Sequence, residues 1–217
     1  MTHFDKSNRV LVAAPHADDE VHCAGTANKL ASLGCEVAAV SFSYCEKSLT
    51  TGFSASDIVA EQQESMGIIG IPDELLWTRD FPVREFPEFR QGILEQLVQI
   101  RREFMPNVIL CPSSTDTHQD HHVVYEECER VWRGHATVLG WLHPLNMRTI
   151  HADAFVRLTA EEMFRKLQVW RCYKSQAAKR SGWNEDWMEH LCRVWGVMAR
   201  GDSDFAEAFE FIGGSIA

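Results

Sequence analysis

The chain has 217 residues, which suits one α/β domain with a full core and leaves little room for a second. A hydrophobic fraction of 45% and a charged fraction of 24% are ordinary for a soluble globular protein. The formal net charge of −10, with no basic face beyond the short pair Arg101-Arg102, argues against a nucleic-acid binder.

The first predicted element is Arg9–Ala14, an apolar run that reads as a buried parallel strand. After the loop Pro15–Glu20, Ala24–Leu33 has helix-forming composition, with Gly34 as its stop. Cys35–Phe42 returns as a second buried strand, making a βαβ unit with a right-handed crossover. Ser56–Ile69 is a second helix ended by Gly70, and Leu75–Thr78 a short strand. Phe89, Ile93, Leu97, Ile100 and Phe104 mark one face of an amphipathic helix that Pro106 breaks. Val108–Cys111 is a buried strand ended by Pro112, Val123–Trp132 a helix and Val138–Trp141 a strand.

The alternation then changes. Ala154–Leu158 reads as a strand, and the capping box Thr159-Ala160-Glu161-Glu162 opens a helix to about Tyr173. Asn184 caps a helix through about Met198, and Phe205–Ile212 closes the chain as a strand or short helix. These elements predict a single domain over residues 1–217. It is a doubly wound α/β fold with a mostly parallel sheet, helices on both faces and an irregular C-terminal third.

No stretch approaches the roughly 18 apolar residues of a membrane span. Met1–Asn8 is polar and Val10–Ala14 too short for a signal core. Seven cysteines without a C-x-x-C pair read as buried thiols of a reducing compartment, so the cytoplasm is the expected location.

Two polar segments each follow a predicted strand: Pro15-His16-Ala17-Asp18-Asp19-Glu20 and Asp116-Thr117-His118-Gln119-Asp120-His121-His122. Open α/β sheets bind ligands at the carboxyl ends of their strands, so the two loops converge if those strands are neighbours. A catalytic zinc takes three protein ligands and keeps a fourth position for water. His16, Asp19 and His121 would supply them, leaving Asp18 as a carboxylate beside the activated water, whose proton it would accept. His118, if protonated, would stabilise an oxyanion or protonate a leaving amine, and Asp120 would orient an imidazole.

These motifs resemble the LmbE/PIG-L family of N-acetylglucosaminyl deacetylases. The resemblance continues in Gly25-Thr26, Tyr173-Lys174-Ser175-Gln176, Arg200-Gly201 and Phe205-Ala206-Glu207-Ala208-Phe209, and so runs over about residues 8–212. It implies a Rossmann-like fold, a zinc site and deacetylation of GlcNAc-containing substrates. Residue by residue, it makes His16, Asp19 and His121 metal ligands, Asp18 the general base, and His118 the electrostatic stabiliser and acid. Two departures stand out. Many members carry an arginine on the second helix where this chain has Glu61, which leaves Arg79 or Arg84 to substitute for it. His22 and His122 have no counterpart role in the family.

Each candidate has a plainer reading. The acidic loop Asp18–Glu20 alone would suit a helix N-terminus, and His22 and His122 would be surface histidines. Cys23 and Cys45 lie near strand ends without a paired base. His143 sits in the Gly140–Asn146 loop, which resembles a substrate-facing loop of the family, and Trp141 is a candidate sugar platform. Trp170, Trp183, Trp187 and Trp195 are expected to pack a lid or a homo-oligomer interface. Strand one lacks a Gly-x-Gly-x-x-Gly turn, against a dinucleotide enzyme. The expected reaction is zinc-dependent hydrolysis of the acetamide of a small amino sugar or its conjugate. Fe(II) also suits a two-His, one-carboxylate site. The rivals are a metal hydrolase of another amide or ester, discriminated by the walls at Tyr44–Ser56 and Gly140–His151, and a non-catalytic protein that kept the fold.

Overall fold

The computed structural model describes residues 4–179 and 184–214. Within them a seven-stranded sheet is built from β1 (Arg9–His16), β2 (Glu36–Ser43), β3 (Leu76–Thr78), β4 (Val108–Pro112), β5 (Thr137–Trp141), β6 (Ala154–Leu158) and β7 (Phe205–Gly213). The spatial order is β3-β2-β1-β4-β5-β7-β6. The first five strands are parallel, while β7 runs antiparallel to both β5 and β6. The departure from βαβ alternation after residue 150 therefore appears as an antiparallel extension of one sheet.

Strand β1 is buried at every position but its first. Its side chains alternate between two cores, as period-2 geometry requires. Val10, Val12 and Ala14 join the core on one face, and Leu11 and Ala13 the core on the other. The helices are α1 (Ala24–Ser32), α2 (Ala55–Ile69), α3 (Phe86–Glu103), α4 (Gln119–Trp132), α5 (Ala160–Cys172), α6 (Lys174–Ala177) and α7 (Glu185–Met198). Helices α1, α2, α5 and α7 contribute to the first core, α3 and α4 to the second.

Three boundaries differ from the sequence-based expectation. Helix α3 starts three residues early, at Phe86, because Pro87 is tolerated in a first turn where its missing N–H costs nothing. Helix α4 starts at Gln119, inside the second polar motif, with His118 as its N-cap. The closing segment resolves as a strand, with Glu207 and Phe209 paired to Val156 and Ala154 of β6.

Trp141 is not at a cleft. It is fully buried in the first core, because alternation along β5 turns its side chain into the helix-packed face. Trp183 lies outside the described residues. Trp170 and Trp187 pack edge to face, with centroids 6.2 Å apart. Among the described residues no helix is long and apolar enough to cross a membrane.

Candidate active site

Strands β1 and β4 are neighbours, and the chain reverses direction across the sheet between them. This is the switch point at which doubly wound sheets open a crevice. The loop after β1 and the first turn of α4 meet there. His16 Nδ1 lies 3.1 Å from Asp19 Oδ2, His121 Nε2 lies 3.2 Å from the same oxygen, and the two nitrogens are 3.3 Å apart. All three side chains are buried. A tetrahedral ion with bonds of about 2.0–2.1 Å has ligand–ligand edges of about 3.3–3.4 Å. The three atoms thus already approximate one face of such a coordination shell.

The far nitrogen of each imidazole is tied to a carboxylate. His16 Nε2 bonds Asp120 Oδ2 at 3.0 Å, and His121 Nδ1 bonds Asp116 Oδ2 at 2.8 Å. Such bonds fix ring orientation and raise ligand basicity. The carboxylates are anchored in turn. Asp120 accepts the backbone N–H of Arg84 at 2.6 Å and of Phe86 at 3.3 Å, and Asp116 accepts that of His118 at 2.9 Å. To present its amide, Arg84 takes φ 71°, in the left-handed region that non-glycine residues seldom occupy. Sequence reading gave Asp120 an orienting role but gave Asp116 none. Asp116 stands five residues before His121, a pairing visible only once the helix is known to begin at residue 119.

Electrostatics follow from four buried or half-buried carboxylates around two imidazoles. Burial, then the adjacent Asp19 carboxylate, pushes Asp18 up to about 6. Burial opposes the charged form of Asp19, but His121 and His16 hold its carboxyl well below the usual range. Burial also opposes charged His16 and His121, yet Asp120 and Asp19 raise the first, and Asp19 and Asp116 raise the second to about 10. The cluster therefore draws positive charge, whether protons or a metal cation. His118 goes the other way: burial and then His121 and His16 lower it. Its Nδ1 accepts the N–H of Asp120 at 3.2 Å, so a neutral ring carries its proton on Nε2.

His16, Asp19, His118 and His121 line a cavity of about 420 Å³ together with Asp18, Cys45, Ser48, His143, Gln176 and Lys179. Burial and the nearby Asp18 and Asp19 carboxylates push the Cys45 thiol well above its ordinary range, which removes it as a thiolate nucleophile.

The remaining candidates fall elsewhere. Glu61, at the position of the family arginine, accepts the N–H and hydroxyl of Ser175. Arg79 is spent on Gln96 and the Thr78 carbonyl, and the Arg84 side chain on the Lys47 carbonyl, so neither lines the cavity. Among the described residues, the lysine or arginine that does is Lys179. His122 is exposed on α4, 3.4 Å from Glu126. His22 packs against His143, with ring centroids 4.2 Å apart.

A doubly wound sheet with a His/Asp cluster at its switch point defines a class of α/β enzymes with a metal-competent site. Within that class, the profile of the PIG-L family, described as GlcNAc-PI de-N-acetylase, matches residues 11–132, and the chain belongs to that family. The comparison with curated proteins gave no match. Among solved structures, N,N'-diacetylchitobiose deacetylase from Pyrococcus horikoshii superposes with a TM-score of 0.76 at 20% identity, covering 94% of this chain and 83% of that one. The zinc-inhibited form of teicoplanin deacetylase Orf2 gives 0.75 at 12%, covering 93% and 97%. GalB, the 4-carboxy-2-hydroxymuconate hydratase of Pseudomonas putida KT2440, gives 0.74 at 17%, covering 97% and 98%. At these identities the likeness establishes the fold.

Proposed function

We propose that this protein is a zinc-dependent N-deacetylase that hydrolyses the acetamide of an N-acetylated amino sugar or its conjugate. One observation carries the reading: His16, Asp19 and His121 form a triangle with edges of 3.1–3.3 Å, with Asp18 beside it in a cavity large enough for a sugar. In this reading His16, Asp19 and His121 hold the metal. When bound, zinc supplies Lewis acidity toward the acyl oxygen and acidifies water.

The chain's own residues do the rest. Asp18, poised near neutrality, takes the proton of the attacking water as the new C–O bond forms. His118 donates from Nε2 to the oxygen that gains charge. As the C–N bond breaks, the proton held by Asp18 passes to the leaving nitrogen, giving a free amine and acetic acid, which ionises to acetate. Asp120 keeps the His16 ring in place. Two deacetylases among the structural neighbours support the reaction class. The free, buried cysteines suit a reducing compartment such as the cytoplasm.

The test is acetate release by the zinc-loaded protein across a panel of N-acetylated sugars and conjugates. Asp18→Ala should keep one metal per chain and lose about 10²–10⁴ of turnover. Undiminished turnover in that variant would sink the base assignment. Metal loss in Asp18→Ala but not in Asp19→Ala would exchange the two aspartates' roles.

A further inference from the structure

The loop after β5 carries a histidine that the mechanism above does not use. His143 lines the cavity and its ring flanks that of His121, with centroids 5.8 Å apart and near-perpendicular planes. His118 touches the rings of both His16 and His121, whereas His143 reaches His121 and the neighbourhood of Asp19. The two rings thus flank different edges of the ligand triangle, with Asp18 beside Asp19.

Nδ1 of His143 accepts the backbone N–H of Leu145 at 3.2 Å. An acceptor nitrogen carries no proton, so in the neutral ring the proton sits on Nε2. His118 is held in the same way by Asp120 N–H, also at 3.2 Å. This pattern bears on a competing use of His143. Donor atoms of Asp19, His22 and His143 lie within 4.8 Å of one another and resemble a second metal site. In this tautomer Nε2 offers no lone pair to a metal.

We propose that His143 is a catalytic residue: a neutral imidazole that donates Nε2–H to the acyl oxygen of the substrate, the second such donor after His118. This rests on the deacetylase reading.

The test exploits the shapes of two amides. In His143→Asn the side-chain oxygen can replace Nδ1 and keep the Leu145 bond, but nothing reaches as far as Nε2. In His143→Gln the amide N–H can reach the place of Nε2, while the loop bond is lost. With the zinc-loaded enzyme and N,N'-diacetylchitobiose as probe, His143→Asn should lose about 10²-fold in kcat at nearly unchanged KM. His143→Gln should retain more than His143→Asn by at least about tenfold. A merely structural loop role gives the opposite order and overturns the proposal. So does a loss confined to KM, which would place the donor on a sugar hydroxyl.

Two further readouts do not need turnover. Wild type should bind one zinc per chain, and so should both variants. Two zincs falling to one in the variants would make His143 a ligand and overturn the proposal. Binding of acetohydroxamate, whose carbonyl oxygen takes the acyl position, should weaken in His143→Asn and be kept in His143→Gln. If wild type releases acetate from no member of the panel of N-acetylated sugars and conjugates yet this binding order holds, the deacetylase reading fails and the donor stands. If turnover is normal and the binding order is reversed, the donor fails alone.

Discussion

Asp116 shows how much of the site rests on residues that would never touch a substrate. Its carboxylate accepts from His121 Nδ1 at 2.8 Å and from the His118 backbone at 2.9 Å, so it aims one ring and sets the N-cap of α4 together. Removing its charge while keeping its shape, in Asp116→Asn, should leave the fold intact and weaken zinc binding about 10–100-fold. Competition with a chelating dye measures this; unchanged affinity would mean that the His121 orientation is fixed by packing alone. At this scale the sequence disclosed the residues whose chemistry is unusual in themselves, His16, Asp18, Asp19, His118 and His121, because two motifs rich in histidine and aspartate each followed a strand. It did not disclose those whose role is relational. Asp116 meets its partner His121 five residues away, by way of a helix start that no periodicity announces. Trp141 misled for the opposite reason, since an apolar strand does not reveal which face its last residue takes.

At the scale of elements, the turn carrying Asp19 is held from below by a buried ion pair. Lys166 of α5 lies 2.5 Å from Glu207 of β7, both almost inaccessible, and its ammonium also donates to the carbonyls of Val21 and His22. Glu207 accepts the N–H groups of Gly25 and Thr26 at 3.0 and 2.7 Å, at the positive end of α1. A Cβ at Gly25 would stand 2.5 Å from a Leu158 methyl, which would have to move aside. Four elements are thus clamped beside the ligand loop. Lys166→Met leaves the Glu207 charge buried and unmatched, and should cost about 3–5 kcal/mol in urea denaturation. Lys166→Met with Glu207→Gln should recover part of that loss. Equal losses in the single and double variants would show that the charge is not what matters. This clamp explains why the Phe205–Phe209 segment shares the family pattern although it lies far from both motifs in sequence. The parallel half of the sheet was legible because its strands are unbroken apolar runs punctuated by Gly and Pro. The strand at β7 was ambiguous because its pairing with β5 and β6 is long-range.

Over the whole molecule, the switch point is where the two wings of the sheet meet, and the His16–Asp19–His121 triangle spans it. His16 ends β1 and Asp19 follows it, and that strand leads into the β2-β3 wing, while His121 follows β4, which leads into the β5-β7-β6 wing. Around these two imidazoles stand four carboxylates: Asp18 and Asp19 line the crevice, and Asp116 and Asp120 are buried behind the rings. A cation held by both wings offsets that repulsion and binds only the native arrangement, so it adds stability by mass action. At a free zinc concentration a thousand times its Kd the gain is about 4 kcal/mol. For a domain of this size each kcal/mol moves Tm by roughly 2–4 °C, so chelation should lower Tm by roughly 8–16 °C and added zinc should restore it. Asp18→Ala should keep this zinc-dependent shift, because Asp18 stands beside the triangle, and Asp19→Ala should lose it. Calorimetry with and without a chelator decides the matter. If Tm is indifferent to both chelator and zinc, the triangle does not hold a metal in the native protein, and protons alone balance its carboxylates.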